Sequence, residues 1–306
     1  MRIVELPEIV AALDAAEALA TIEEGFRRLH RGRVHLAEVA HLAFDDPPGD
    51  CHVKGGHMVD DDLFVFKFAT SFYRNPGLGL SSSNGFMIVV CARTGAQLAM
   101  LRDEGYLTDM RTALAGAIAA RAIARPGTKA LGIVGTGIQA RMQARAIRRL
   151  PGIEALLVHG RDAAKAAALA AELGGEAVDL ADLCAHADLI VTTTPSTIPY
   201  LHAEMVRPGT RIVAVGADTP GKQELATELT ASARIVVDLR AQCVDHGEAG
   251  WAVRAGLVAP DALIELGALL EKPIAFADGD IVIADLTGVA VQDIAIARAV
   301  WSRLAG

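Results

Sequence analysis

The order of apolar and polar positions divides the chain into two parts. In the first part, apolar residues at helical spacing predict an amphipathic helix over residues 8–31. Short apolar runs then predict strands over 34–44, 51–58, 63–69, 86–92 and 97–102, with an antiparallel hairpin at 51–69. An Ala-rich stretch predicts a helix over 113–124 that Thr108 or Asp109 caps. The first part therefore mixes helices with antiparallel strands.

From residue 129 onward the pattern changes to strands and helices in alternation. Strands are predicted over 130–134, 155–159, 189–193, 211–215, 235–237 and 281–284, and helices over 139–150, 163–173, 180–186, 261–270 and 289–304. Several of these strands are apolar on both faces, which is typical of a parallel sheet covered by helices. The fold class expected is therefore α/β.

One turn in the second part predicts a binding function. An apolar run ends in Gly135-Thr136-Gly137-Ile138-Gln139-Ala140 and leads into a helical pattern. A first Gly makes the turn, a second lets the backbone approach a pyrophosphate, and the following helix directs its free N–H groups at the anion. The alternative is an ordinary Gly-rich turn in a βα unit. The strand before it and the helix after it favour a dinucleotide.

Composition limits the possible partners. Of the 306 residues, 52% are hydrophobic and 22% are charged, so a large core is expected and disorder is not. A net charge of -8 without a basic run disfavours nucleic acid. The four cysteines are far apart, which predicts neither a disulfide framework nor a metal site. No signal region is found and no apolar run reaches about 18 residues, so we expect a cytoplasmic protein without a membrane partner.

Two cations in the first part are candidates for binding an anion. Lys67 interrupts an apolar run, with His52 and Lys54 on the partner run and a loop rich in small polar residues after it. A lysine that snorkels from an edge strand is the alternative. Arg111 is expected in the first turn of the Ala-rich helix, where it either pairs with a nearby acid, Asp103 or Glu104, or binds an anion together with the helix N-terminus.

Taken together, separated motifs in the sequence resemble the ornithine cyclodeaminase/mu-crystallin family. The resemblance runs from about residue 50 to the C-terminus and is carried by Lys67 with Asn75-Pro76, Gly79-Leu80 and Ser82, Gly95, residues 107–113, 135–140 and 215–225, and Gly288 to Asp293. It implies a Rossmann NAD(P)-binding domain over 115–288. It also implies an α+β substrate-binding and dimerisation domain over 1–114 and 289–306, completed by the C-terminal helix, in a homodimer.

The resemblance also implies roles for single residues. Lys67 and Arg111 would bind the substrate carboxylate, and Asp218, with Lys67, would be catalytic, Asp218 as the acid or base. A loop aspartate that only shapes its turn is the alternative for Asp218. The cofactor would be bound by the residues at the family's motif positions: Ser82, Arg111, Thr112, Gly135, Gly137, Ile138, Gln139, Arg161, Thr193, Thr194, Val215, Gly216, Ala217 and Asp218.

The sequence departs from the family pattern at the position that contacts the substrate side chain. Ornithine cyclodeaminases carry a Glu before the lysine, whereas this chain has Lys54, which would repel the second ammonium of ornithine. Lys54 and His52 are therefore expected to bind an acidic side chain, as in iminosuccinate. No counterpart of the family's additional N-terminal arginine is found, and His41 or Lys54 is the candidate to replace it.

Residues at the end of the second Rossmann strand indicate which cofactor is used. Gly160 stands where NAD-binding folds carry an acid, and Arg161 is placed for a 2′-phosphate, so NADP(H) is favoured, with NAD(H) as the alternative if Asp162 binds the ribose. Asp162 is otherwise expected to cap the next helix. The function expected is an NAD(P)H-dependent reductase of small α-imino acids, in reverse an amino-acid dehydrogenase. The alternatives are a cyclodeaminase that recycles NAD internally and a non-enzymatic NADPH-binding protein.

Overall fold

A computed structural model describes residues 1–72 and 74–305 of the chain. The strands are β1 (Arg2–Glu5), β2 (Val34–Leu36), β3 (Ala40–Asp45), β4 (Pro48–Met58), β5 (Leu63–Phe72), β6 (Ser83–Cys91), β7 (Gln97–Arg102), β8 (Ala130–Val134), β9 (Ala155–His159), β10 (Glu176–Ala177), β11 (Leu189–Thr192), β12 (Arg211–Ala214), β13 (Arg234–Val237), β14 (Ile264–Glu265) and β15 (Val282–Asp285). The helices are α1 (Leu6–Ala12), α2 (Ala15–His30), α3 (Tyr106–Ile123), α4 (Ile138–Ile147), α5 (Ala163–Leu173), α6 (Leu180–His186), α7 (Thr227–Ser232), α8 (Arg240–His246), α9 (Glu248–Arg254), α10 (Leu266–Glu271) and α11 (Ala290–Ala305).

The chain forms two compact units, of which the first contains residues 1–112 and 289–306. Its sheet has the strand order β1-β7-β6-β5-β4-β2, and β3 also pairs with β4. The strands pair antiparallel except for β1 with β7. Along β5, Leu63, Val65 and Lys67 are buried and alternate with half-buried phenylalanines, as the two-residue period of a strand requires. One face of this sheet is therefore the core face.

The amphipathic segment at the N-terminus forms two helices instead of the single helix expected over 8–31. Helix α1 ends at Ala12, and α2 begins after Asp14, whose carboxylate accepts hydrogen bonds from Ala16 N and Glu17 N. Asp satisfies free N–H groups at a helix start, so it interrupts an apolar pattern that otherwise continues. The expected strand over 34–44 is likewise divided into β2 and β3.

The second unit, residues 113–288, is a doubly wound α/β domain. Its sheet has the order β10-β9-β8-β11-β12-β15-β13-β14, and all of its registers are parallel. The strand order reverses beside β8, because β9 lies on one side and β11 on the other. Ligands of such sheets bind outside the carboxyl ends of the strands at this reversal, where residues 135–140 begin. The expected α/β class and Rossmann-type sheet are confirmed.

Three predictions about helices require correction. Helix α3 begins at Tyr106, because Asp103 Oδ2 accepts a hydrogen bond from Leu107 N at 2.8 Å, so neither Thr108 nor Asp109 is the cap and Arg111 lies in the second turn. The helix expected over 261–270 is a 3-10 turn, strand β14 and the short helix α10. Helices α7, α8 and α9 were not expected, since six or seven residues show little periodicity. Within the described residues, no helix combines the length and apolar character needed to cross a bilayer.

Candidate active site

The sheet of the first unit places two lysines side by side on its core face. Lys54 of β4 lies directly opposite Lys67 of β5 in the antiparallel register. Only 8% of Lys54 and 2% of Lys67 are exposed to solvent. Lysine is almost never buried to this extent without a charged partner. Lys67 is therefore not a snorkelling lysine of an edge strand, and the pair requires a counter-charge.

The counter-charge comes from helix α11. Asp293 Oδ1 lies 3.0 Å from Lys67 Nζ and 3.0 Å from Arg111 Nε. Arg111 Nη1 also donates to Oε1 of Gln292, the preceding residue, at 2.7 Å. Arg111 thus pairs with an acid, but in the described part of the chain that acid is neither Asp103 nor Glu104, the two named as the alternative to anion binding. One buried carboxylate thus holds two cations from different elements.

Burial and charge together change the protonation equilibria of this group. Burial, with the nearby positive charge of Arg111, lowers the pKa of Lys67 to about 7, although Asp293 opposes that change. Burial raises the pKa of Asp103 to about 6. The pKa of Asp293 is lowered, because Lys67 and Arg111 outweigh the opposing effect of burial. Lys67 is therefore a lysine that exchanges its proton near neutral pH.

Four buried polar atoms of this group have no hydrogen-bond partner among the described residues. They are Asp293 Oδ2, Gln292 Nε2, Asp103 Oδ1 and Arg111 Nε, and the last has only its ion-pair contact with Asp293. Buried polar atoms are nearly always paired, so such a group marks a place where a polar ligand is expected. The group offers both cations and unpaired acceptors, which suits a ligand that carries a carboxylate together with an N–H group.

The other first-unit candidates occupy less buried positions. His52 lies two residues before Lys54 on the same face of β4, and its ring stacks on His41 with centroids 4.4 Å apart. Its Nε2 lies 3.5 Å from Asp50 Oδ1. Ser82 precedes β6, and its carbonyl accepts from Phe72 N. Thr112 donates its hydroxyl to Thr108 O within α3. His41 and His52 extend the polar strip that begins at Lys67.

In the second unit, the turn after β8 has the form needed to bind a phosphate. Gly135 has φ 127°, a conformation that favours glycine. A Cβ on Gly137 would meet no atom within 4 Å, so the backbone there borders open space. Helix α4 begins at Ile138, followed by Gln139, and no side chain caps it. Its N-terminal N–H groups are therefore available for an anion. These features fit the pyrophosphate of a dinucleotide.

The residues after β9 include Asp162, which caps the next helix as expected. Asp162 Oδ1 accepts from Lys165 N at 3.1 Å and caps α5. Arg161 is exposed to solvent. A Cβ on Gly160 would lie 2.5 Å from Thr136 Cγ2, so a carboxylate side chain is excluded from this position while Thr136 keeps its place. Position 160 therefore provides neither an Asp nor a Glu carboxylate to bind the ribose of a cofactor.

The remaining second-unit candidates follow the carboxyl ends of β11 and β12. Thr193 and Thr194 come directly after β11, and Val215, Gly216, Ala217 and Asp218 come directly after β12. Val215 and Ala217 are buried, whereas the side chain of Asp218 is half exposed. Asp218 Oδ1 accepts from Lys222 Nζ at 2.6 Å. The pairing of β11 with β12 brings these two loops to one edge of the sheet.

Gln292, Asp293 and Glu224 lie in motifs that carry the family resemblance, but the sequence predicted no role for these three residues. A signal for Asp293 existed, because it is an acid within an otherwise Ala-rich and apolar helix. Its partners could not be identified, since Asp293 lies 226 positions from Lys67. Glu224 lies in a loop, where an acid is usually solvated. The structure buries it completely.

Comparison with known proteins identifies the family. The model of the ornithine cyclodeaminase/mu-crystallin family matches residues 3–306. The alanine dehydrogenase of Archaeoglobus fulgidus is 35% identical over 301 residues, 96% of this chain and 92% of that protein. The iminosuccinate reductase of Paracoccus denitrificans is 34% identical over 307 residues, 98% and 95% of the two chains. The ornithine cyclodeaminase of Agrobacterium tumefaciens is 30% identical over 253 residues, 80% and 70%.

Two solved structures share the whole fold. An archaeal alanine dehydrogenase dimer with bound NAD superposes with a TM-score of 0.91 at 32% identity, covering 100% of this chain and 96% of that one. The Paracoccus denitrificans iminosuccinate reductase with NAD+ gives 0.90 at 32% identity, with the same coverage. These two neighbours are enzymes of amino or imino acids, the class expected from the motifs. The chain belongs to the ornithine cyclodeaminase/mu-crystallin family.

Proposed function

We propose that this chain is an NAD(P)H-dependent reductase of small α-imino acids, in reverse an amino-acid dehydrogenase, with a preference for dicarboxylic substrates such as iminosuccinate. One observation carries the proposal. Lys54, Lys67 and Arg111 are all buried in the first unit, and Asp293 is the carboxylate that joins two of them. In addition to burial, the charges of Arg111 and Lys54 both lower the pKa of Lys67, so the three cations act on one another and together attract an acidic ligand.

Lys67 and Arg111 bind the α-carboxylate of the substrate. The guanidinium of Arg111 is held by Gln292 and Asp293, so its plane is fixed before the substrate arrives. A fixed planar fork binds a carboxylate at two points, and the ammonium of Lys67 adds a compact charge. Because the side chains are already oriented, less conformational entropy is lost on binding.

Lys54 binds the second carboxylate. It stands opposite Lys67 on the same sheet face, and His52 follows on the same strand. Directly opposed residues of an antiparallel pair have Cβ atoms about 4.5–5.5 Å apart. That separation suits a short dicarboxylate, whereas the side-chain ammonium of ornithine would meet a like charge.

The catalytic roles are assigned to Asp218, which transfers a proton, and to Lys67, which holds the substrate by its charge. When bound, the cofactor supplies or accepts the hydride. Asp218 gives its proton to the imine nitrogen during reduction and takes it back in the reverse direction. Lys222 holds the carboxylate of Asp218 through a 2.6 Å hydrogen bond. Lys67 has a pKa of about 7, and its protonated ammonium form holds the α-carboxylate.

The cofactor is assigned as NADP(H) in preference to NAD(H). Gly160 provides no acid for the ribose, Asp162 is engaged at the start of α5, and Arg161 is exposed and cationic. A 2′-phosphate is attracted by such an arginine. The bound NAD of the two solved relatives sets the opposite expectation, so both cofactors are to be measured. Ser82, Thr112 and the residues after β8, β11 and β12 complete the proposed cofactor site.

We assign the first unit as the substrate-binding and dimerisation domain and the second as the Rossmann domain of a homodimer. Phe64, Phe66 and Phe68 point away from the face that carries Lys67 and are only half-buried, and Phe68 stacks on Phe86 with centroids 4.8 Å apart. An apolar sheet face of this kind fits a second copy of the chain. Equilibrium sedimentation should give a dimer, and Phe68→Asp should give monomers. The cytoplasmic location stays a prediction.

The substrate proposal is tested with a panel of 2-oxo acids supplied with ammonia. Oxaloacetate, which forms iminosuccinate, should be reduced with kcat/KM about 100-fold above pyruvate, since one charge-assisted contact contributes ~1.5–3 kcal/mol. Lys54→Met should remove most of this difference, by slowing the oxaloacetate reaction alone. Lys129→Met changes an exposed lysine outside the first unit and should leave the ratio unchanged.

The same panel separates the alternatives. Formation of proline and ammonia from L-ornithine without net cofactor turnover would identify a cyclodeaminase and overturn the proposal. Tight binding of NADPH without reduction of any imine would identify a binding protein. Equal rates with oxaloacetate and pyruvate would refute the dicarboxylate preference while leaving the reductase activity in place.

A further inference from the structure

Glu224 connects the two loops that follow β11 and β12. Its side chain is fully buried. Oε1 accepts hydrogen bonds from Thr194 N at 2.6 Å, Thr194 Oγ1 at 2.7 Å and Tyr200 Oη at 2.7 Å. Oε2 accepts from Thr192 Oγ1 at 2.7 Å and Gly216 N at 2.9 Å. One carboxyl group therefore accepts five hydrogen bonds, from both loops.

The loops lie close enough for this contact to determine their separation. Strands β11 and β12 are paired neighbours, so their carboxyl ends are adjacent. A Cβ added to Gly216 would lie 2.5 Å from Glu224 Oε2 and would also collide with the carbonyl oxygen of Thr194. The space between the loops therefore admits no side chain at position 216, and the hydrogen bonds of Glu224 hold the two loops together.

Two of the five donors are backbone N–H groups, one for each carboxyl oxygen. A hydroxyl can rotate to donate or accept, but the N–H groups of Thr194 and Gly216 only donate. Both oxygens of residue 224 must therefore be acceptors. Burial raises the pKa of Glu224, and the hydrogen bonds from Thr192 and Thr194 oppose that rise. No ion pair to Glu224 is found in the described ranges, so neutral donors alone compensate its charge.

A second buried acid fixes the backbone of Glu224. Glu248, at the start of α9, accepts hydrogen bonds from Glu224 N at 2.6 Å and Leu225 N at 3.3 Å. Asp285, at the end of β15, accepts from Ala249 N at 2.9 Å. Glu248 of α9 thus fixes the backbone of Glu224, Asp285 of β15 fixes the start of α9, and the side chain of Glu224 extends from this backbone to the two loops.

We propose that Glu224 is a positioning residue that sets the geometry of the loops at 193–194 and 215–218 for cofactor binding and hydride transfer. The inference rests on the proposed function, because these loops belong to the proposed cofactor site. Glu224 does not touch the reacting groups and acts through Thr194 and Gly216.

The decisive variant is Glu224→Gln. Glutamine has the same shape, but its amide nitrogen would face one of the two backbone N–H groups, donor against donor. The two loops should then separate. NADH and NADPH, titrated directly by their fluorescence, should bind about tenfold or more weakly, as expected when a buried donor is left unpaired. At saturating cofactor, kcat should fall while KM for the imino acid stays within about twofold, since Lys67 and Arg111 are unchanged.

Asp188→Asn is the matched control. Asp188 also accepts two backbone N–H groups, from Lys129 at 2.9 Å and Ala130 at 3.1 Å, but it precedes β11 at the amino end of the same sheet. Asp188 also pairs with Arg125 and Arg207 through its other oxygen, so this variant should lower the thermal unfolding midpoint by removing those ion pairs and leave cofactor affinity unchanged. If Glu224→Gln lowers only the midpoint, and both cofactors bind within twofold of the parent, the positioning role is refuted.

A second variant decides the question if Glu224→Gln does not fold. Thr192→Val together with Tyr200→Phe removes two hydroxyl donors and keeps both backbone contacts. It should weaken cofactor binding about threefold, and unchanged binding refutes the role. Failure of the proposed function looks different, because the parent protein itself would then bind NADH or NADPH without reducing any imino acid, while the loss of cofactor affinity in Glu224→Gln could still be measured.

Discussion

Two buried carboxylates, one in each unit, are paired in opposite ways. In the first unit, Lys67 and Arg111 share Asp293, whose Oδ2 has no hydrogen-bond partner among the described residues. In the second unit, all five hydrogen bonds of Glu224 and both of Glu248 come from the unit itself. Incomplete pairing indicates a group that binds a ligand, whereas complete pairing indicates a group that holds the fold.

The difference has a consequence for stability. A buried lysine with a lowered pKa is held in the native state at an energetic disadvantage, which proteins tolerate where function requires it. A buried carboxylate with every acceptor satisfied stabilises its surroundings, and removing one acceptor leaves an N–H group unpaired. Substitutions in the two units should therefore separate loss of activity from loss of stability.

The largest effect is expected from Lys67→Met in the first unit. Methionine retains most of the side-chain volume and removes the ammonium, so kcat/KM for the imino acid should fall about 100-fold, or ~3 kcal/mol for a charge-assisted contact. The thermal unfolding midpoint should not decrease. Steady-state kinetics and calorimetry on one preparation check both statements. A large loss of stability with normal kcat/KM would remove the distinction between the two units.

Glu248→Gln tests the other side of the comparison. Its amide would oppose either Glu224 N or Leu225 N, so the free energy of unfolding should fall by about 2 kcal/mol, a factor of about 30 in the folding equilibrium. Urea denaturation measures the change. At 25 °C the variant should keep its KM for the imino acid, because the proposed carboxylate site lies in the first unit. A raised KM without destabilisation would contradict the assignment.

The pH dependence of the first unit should show an effect of about tenfold per pH unit. Lys67 is charged below its pKa of about 7 and neutral above it, so kcat/KM for a carboxylate substrate should decline as pH rises through 7. Asp293 keeps that pKa from falling further. Asp293→Asn should therefore move the decline to lower pH, and Lys67→Met should abolish it. An unchanged decline in Lys67→Met would assign it to another group.

A smaller effect is expected from Arg161→Ser in the second unit. Arg161 is exposed, so its contribution to binding a 2′-phosphate is screened to about 1 kcal/mol and should amount to about fivefold in affinity for NADPH. Affinity for NADH should change less than twofold. Fluorescence titration with both cofactors measures the ratio. If the two affinities change together, Arg161 does not discriminate between the cofactors.

The local features of the second unit were accessible from sequence because they depend on near neighbours. Strands β8 and β9 and helices α5 and α6 were predicted to the residue, and the cap of α5 by Asp162 is confirmed. Periodicity, caps and glycine turns act within a few residues, so the chain itself records them.

What the sequence did not reveal depends on contacts between distant segments. Asp293 meets Lys67 only because α11 returns to the sheet of the first unit. The start of α3 was misplaced since Asp103, three residues before the helix, supplies the bond to Leu107 N. The five contacts of Glu224 join segments that a linear pattern cannot place together. Tertiary contacts therefore determined the parts of the candidate site that motifs left without a role.

The closeness of Gly160 to Thr136 also restricts how cofactor choice can evolve. An acid at position 160 is the simplest change toward NAD(H), but its Cβ would lie 2.5 Å from Thr136 Cγ2. Thr136 must therefore rotate or be replaced by a smaller residue before an acid fits at position 160. The effect of an acid at 160 thus depends on the residue at 136, so a library directed at cofactor choice should vary both positions together.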